Sequence, residues 1–294
     1  MRRTGLAVLL TFLVGCSRPV APAPNGRTLL DRLIPSALGA AVNNAQPRGV
    51  DRPTVRAKVV QLEAVTVNSL EIPLDNVSDA QLRQLAAQDL PGVGSVSLGR
   101  PNRGRLRNAV ALPDRPFWRI LNPKRSWATE ETAQGLEAAV QRVWASEPGT
   151  PALFIGDLSG SKGGYVRPHR SHQSGRDADV GYYYLSDHKW YTKANAENLD
   201  CRRTWLLLKA FMSEADVELV FMDRSVQELL RAHALQAGED PAFLETVFQR
   251  SKRDETVVRH EYGHLTHFHV RFYSSRATRG FEKMRERLGP RLRF

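Results

Sequence analysis

Six of the eight histidines in this 294-residue chain fall in two short windows. The first, Pro168-His-Arg-Ser-His-Gln-Ser-Gly-Arg-Asp-Ala-Asp179, holds His169 and His172 with two aspartates. The second, His260-Glu-Tyr-Gly-His-Leu-Thr-His-Phe-His269, holds the other four. Side chains of a strand alternate faces, so in an extended segment His267 and His269 emerge side by side while Phe268 and Val270 point the other way. One of the pair can bind a metal ion, which leaves its neighbour beside the metal's water, where a general base is needed. His172 and a carboxylate from the first window supply further ligands. Two histidines and one carboxylate fill three positions of a tetrahedral zinc site and leave the fourth for water, the catalytic pattern and not the structural one. Asp177 and Asp179 share parity, and on spacing alone either can be that carboxylate.

Two other motifs offer different chemistry. His260-Glu261-Tyr-Gly-His264 is a formal H-E-x-x-H, which would make Glu261 the base, but that motif needs a helix to bring its histidines onto one face. Gly263 and the strand-like flanks Val257-Val258 and Phe268–Phe272 disfavour one, and His172 and Asp179 would be left unexplained. Ser159-Gly-Ser-Lys162 matches S-x-x-K of penicillin-recognising serine enzymes, yet it lies among glycines before no evident helix and reads as loop. His188 and His233 read as surface or packing residues, and the five tryptophans as core, with Trp190 a candidate for lining a groove beside Tyr182–Tyr184.

The elements that must position these residues are legible from periodicity and caps. Ser78 and Gln81 form a capping-box signature for a helix to about Asp89, which Pro91-Gly92 ends. Further helices are expected over 129–144, 201–215 and 241–249, with strands at 151–157, 217–222 and 267–273 and a glycine-rich turn at 160–164. Upstream, a helical stretch near 29–42 and a β-rich run over 55–74 carry no evident chemistry. Strands that pair across intervening helices predict an α+β fold: a central antiparallel sheet bearing the zinc site, flanked by helices, with a small N-terminal extension.

The segments Ser171–Val180 and His264-x-x-His-Phe-His-Val-Arg-Phe272 resemble the penicillin-insensitive murein endopeptidases, which group with lysostaphin, D-Ala-D-Ala peptidases and sonic hedgehog. The shared pattern is His-x6-Asp followed by His-x-His, matched by His172, Asp179, His267 and His269. Similarity extends over roughly Gly94 to Tyr273, including Leu106–Pro113, Phe154-Ile-Gly-Asp157 and Phe221-Met-Asp with the helix start after it. The resemblance implies zinc ligation by His172, Asp179 and His269, with His267 as base and His264 near the developing oxyanion. It also implies a further active-site histidine at His169 and a supporting Asp177. The implied substrate is the peptide cross-link of peptidoglycan, such as the D-alanyl to diaminopimelate bond. Pro168 stands where the family has glycine.

Hydrophobic content of 41% with 25% charged residues excludes general disorder and a multi-span membrane protein. Residues 1–16, MRRTGLAVLLTFLVGC, combine a charged start, a short apolar core and a small residue, which is an export signal. Leu13-Val14-Gly15-Cys16 resembles the bacterial lipobox, and Ser17 resembles its outer-membrane form. The expectation is a periplasmic lipoprotein anchored through Cys16, which leaves Cys201 without an internal disulfide partner. The expected divisions are a signal peptide over 1–16, a Pro-rich tether over 17–28, an extension over 29–92 and a zinc metallopeptidase domain over 93–294. The net charge of +11 falls by two when Arg2 and Arg3 leave. An exported cation meets anionic lipid and wall carboxylates, and no aromatic-and-basic platform for nucleic acid is present. A catalytically silent, zinc-containing wall-binding lipoprotein is the reading from another functional class.

Overall fold

The computed structural model describes residues 74–290 together with Leu292 and Phe294. The signal, the tether, Cys16 and the segments expected at 29–42 and across 55–73 lie outside the described residues. In chain order the strands are β1 (Val96–Arg100), β2 (Arg103–Arg107), β3 (Val110–Ala111), β4 (Trp118–Ile120), β5 (Trp127–Ala128), β6 (Leu153–Ile155), β7 (Asp177–Gly181), β8 (Val217–Met222), β9 (Val258–His260) and β10 (His267–Phe272). The α-helices are α1 (Asp79–Ala87), α2 (Glu130–Ser146), α3 (Cys201–Glu214), α4 (Arg224–Gln236), α5 (Pro241–Val247) and α6 (Ser275–Leu288).

Six strands form the main sheet in the order β4-β6-β7-β10-β8-β9. The middle four pair antiparallel, as expected, and each edge adds a three-residue strand in parallel, β4 on β6 and β9 on β8. The sheet is therefore mixed within an α+β fold, and its short edges limit strand addition from outside. The back face is apolar because β10 alternates: Phe268, Val270 and Phe272 are buried there with Ala178 and Val180 of β7. Phe211 of α3 closes on that face, its ring 5.9 Å from Phe268 and 6.0 Å from Phe272. Each such phenylalanine stabilises the fold by about 2–3 kcal/mol through burial.

Caps start the helices where the chain leaves the sheet. Thr129, Asp200 and Asp223 accept backbone N–H groups of α2, α3 and α4, at about 1 kcal/mol each. α1 forms with the expected capping box, Ser78 accepting from the Gln81 N–H and Gln81 from the Ser78 N–H. A second cluster of Val77, Leu82, Leu85, Val96, Leu98 and Met284 joins α1, β1 and α6, with Phe281 and Leu288 packed against it. Among the described residues no helix is long and apolar enough to cross a membrane.

Candidate functional site

β7 and β10 pair in the register His269 to Asp179, Arg271 to Asp177 and His267 to Gly181. Directly opposed residues share a face, so this one register brings two histidines and two aspartates together on the side away from the apolar layer. The loop before β7 delivers His172 in the left-handed region, φ 63°, a conformation rare for a side chain with a Cβ. Its backbone N–H donates to Asp177 Oδ2 at 3.0 Å. Its ring Nδ1 lies 2.8 Å from the Leu158 carbonyl, which turns Nε2 toward Asp179.

Asp177 is fully buried and accepts from His269 Nε2 at 2.9 Å and Arg271 Nε at 2.7 Å. Burial opposes its charge, but His269 and Arg271 outweigh burial and hold its carboxyl far below the ordinary range. With Nε2–H committed to Asp177, His269 presents Nδ1 to Asp179. Burial works against a charged His269, yet Asp177 and Asp179 prevail and raise it to about 9. Asp179, 3% exposed, is likewise kept ionised against burial by His172 and His269.

Asp179 Oδ1 is the point of convergence. His172 Nε2 lies 3.2 Å away, His269 Nδ1 3.3 Å and His267 Nε2 3.7 Å. Although so close, Asp179 Oδ1 and His172 Nε2 are buried without hydrogen-bond geometry to any partner. Unsatisfied buried polar atoms are rare, and two facing each other fit a cation between them. His169 approaches the other oxygen, Nδ1 to Oδ2 at 3.6 Å, while its Nε2 lies 3.1 Å from Asp157 Oδ2. Asp157 also accepts from Arg125 at 2.8 Å, and its hydrogen bond raises the pKa of His169. His169, His172 and Asp179 offer atoms within 4.8 Å of one another, a possible metal-binding group.

His267 stacks on Trp190 with ring centroids 5.4 Å apart, and Thr266 Oγ1 lies 2.9 Å from its Nδ1. Burial is the largest influence on it and lowers its pKa to about 4, despite Asp179, so the imidazole is neutral near pH 7. His264 sits 5.1 Å from His267, centroid to centroid, and burial also lowers its pKa. Its Nδ1 is 3.1 Å from the Tyr262 carbonyl, and the buried Tyr182 hydroxyl donates to the His264 carbonyl at 2.8 Å. Trp190 fits because Gly156 lacks a side chain: a Cβ there would stand 2.7 Å from the indole and 3.1 Å from Asp179 Cβ.

All seven residues singled out from sequence, His169, His172, Asp177, Asp179, His264, His267 and His269, therefore meet in one cluster. His260 does something else: its Nδ1 accepts the Arg224 N–H at 3.0 Å, at the start of α4. Residues 261–266 form turns and bends with Gly263 at φ 87°, so H-E-x-x-H has no helix to act on. Ser159 is buried and donates to the Gly160 carbonyl, whereas Lys162 is exposed and lines a cavity with Arg105 and Arg107. Sequence reasoning missed Asp157, Thr266 and Arg271. Arg271 had a signal, since it continues the His267, His269 parity; Thr266 is the sequence neighbour of His267, and only Asp157 acts through tertiary contacts.

A family model described as penicillin-insensitive murein endopeptidase matches residues 97–286, most of the chain and all of the histidine cluster. No curated protein sequence matches it. The chain belongs to that family, and its reaction class is hydrolysis of peptide bonds in peptidoglycan.

Proposed function

We propose that this family member is a zinc-dependent endopeptidase that cleaves the D-alanyl to diaminopimelate cross-links of peptidoglycan. The observation that carries the reading is the convergence on Asp179 Oδ1 of two imidazole nitrogens at 3.2 and 3.3 Å. Zinc bonds of about 2.0–2.1 Å at tetrahedral angles separate neighbouring ligand atoms by about 3.3–3.4 Å. His172 Nε2 and His269 Nδ1 each stand at that edge from Asp179 Oδ1, and these three residues would hold the ion. His169 faces the other oxygen and is tied to Asp157, which suits it to the substrate side of the cleft.

Zinc held there would supply Lewis acidity toward the scissile carbonyl and a water molecule. The remaining work falls to the chain. Neutral His267, with Nδ1–H on Thr266 Oγ1, takes a proton at Nε2 and returns it to the leaving amine. His264, with Nδ1–H directed to backbone carbonyls, is assigned to the side of the developing oxyanion, which it stabilises when Nε2 also carries a proton. Asp177 holds His269 in the ligating tautomer, as carboxylates behind metal-bound histidines do. Trp190 stacks on the His267 ring and fixes its orientation.

The proposal includes the export signal and a lipid anchor on Cys16, which would hold the enzyme in the periplasm on the outer membrane, within reach of the wall. In this organisation the peptidase domain begins near residue 93, and α1 of the preceding extension packs on it through Met284. Digestion of cross-linked muropeptides followed by mass spectrometry tests the function. Dimers should become monomers, the reaction should stop with a chelator, and zinc should restore it. Dimers that persist with zinc present would leave the silent wall-binding lipoprotein as the better reading.

A further inference from the structure

Large apolar side chains reached by solvent are unevenly placed. Among the described residues four are more than three-fifths exposed: Tyr165 at 67%, Leu185 at 66%, Tyr191 at 79% and Tyr262 at 83%. The next, Leu121, stands at 41%. All four belong to three loops that carry or touch the histidine cluster. Tyr165 adjoins the turn in which the His169 N–H donates to the Val166 carbonyl. Leu185 and Tyr191 lie on the segment whose Trp190 stacks on His267. Tyr262 presents its carbonyl to the His264 ring.

Exposed apolar surface gathered beside a site marks where a partner docks. The residue type narrows the partner. A lipid or an apolar helix would select Leu, Ile and Phe, whereas three of these four are tyrosine, which joins a flat apolar face to a hydroxyl. That pairing matches a pyranose, with C–H groups on its face and hydroxyls at its edge. Exposed Arg170 and Lys193 on two of the same loops suit the carboxylates of a polymer that bears both sugars and peptides.

We infer that Tyr165, Tyr191 and Tyr262 form a rim that stacks on the glycan strand from which the cleaved peptides hang. The inference rests on the proposed peptidoglycan endopeptidase activity, and the test separates the two. The zinc-loaded full chain and its Tyr165→Ser/Tyr191→Ser/Tyr262→Ser variant would be assayed on intact sacculi and on the cross-linked peptide dimer freed of sugar by an amidase. The ratio of the two rates, sacculi over free dimer, should fall by roughly tenfold or more in the variant. An unchanged ratio would overturn the rim, whether both rates hold or both fall. Co-sedimentation with peptide-free glycan strands needs no turnover: the wild-type chain should bind and the variant should not. If the wild-type chain cleaves neither substrate yet binds glycan as expected, the proposed activity fails and the rim stands; equal glycan binding by both chains removes the rim.

Discussion

Asp177→Asn tests how the proposed zinc-binding arrangement is held. Asp177 is fully buried and accepts three N–H groups: His269 Nε2 and Arg271 Nε on Oδ1, and the His172 backbone on Oδ2. Asparagine has the same shape but one acceptor oxygen, and its amide donates. Either orientation sets an NH2 against a buried N–H, which costs about 1–3 kcal/mol, and the lost charge leaves Arg271 and His269 without their anion. Taken together, the zinc-free protein should lose about 2–4 kcal/mol, or about 4–16 °C in Tm for a domain of this size. With the His269 tautomer no longer locked, zinc affinity should fall about 10–100-fold. Thermal unfolding in chelator and competitive zinc titration measure the two losses separately. An Asp177→Asn protein with unaltered Tm and unaltered zinc affinity would refute this account of Asp177. Loss of zinc binding as complete as in Asp179→Asn would instead make Asp177 a ligand.

Other expectations follow from the same geometry. Glu261→Ala should retain activity within about twofold, because Glu261 is exposed in a turn and serves no helix; abolished turnover would revive H-E-x-x-H. Gly156→Ala should lower kcat while far-ultraviolet circular dichroism holds, since its Cβ would displace the Trp190 indole that covers His267; a change in tryptophan fluorescence should accompany the loss, and wild-type kinetics would contradict it. Leu82→Ala removes a fully buried side chain from the cluster joining α1 to α6, and should cost about 2–5 kcal/mol by chemical denaturation. A loss under about 0.5 kcal/mol would mean that α1 is not part of the cooperative unit.

Much of the site was legible because local rules determine it. The alternation His267-Phe268-His269-Val270 assigns imidazoles to one face and core to the other without knowledge of the partner strand. The capping boundaries of α1 and α2 were likewise written in Ser78, Gln81 and Thr129. The choice between Asp177 and Asp179 was not local. Parity allows both, and only the β7–β10 register together with the His172 loop sends Asp179 between His172 Nε2 and His269 Nδ1 and Asp177 to the far nitrogen of His269, Nε2. α6 escaped notice because its apolar positions, Ala277, Phe281, Met284 and Leu288, are diluted by arginine and glutamate, so it reads as a basic tail until α1 supplies a surface for it. α4 was recognised only at its start. The parallel edge strands β4 and β9 span three residues each, too short to leave a periodic signal. Asp157 and Trp190 reach the histidines from separate loops, and no spacing rule connects them.

The central claim is that His172, Asp179 and His269 hold the zinc on which hydrolysis depends. Stepwise return of zinc to chelator-treated protein, with metal content and muropeptide turnover read on the same samples, addresses it most directly. Activity should rise linearly and saturate at about one zinc per chain, and Asp179→Ala should neither retain the ion nor recover turnover. Turnover that persists in the metal-free chain, or an Asp179→Ala chain that saturates as the wild type does, would contradict the account.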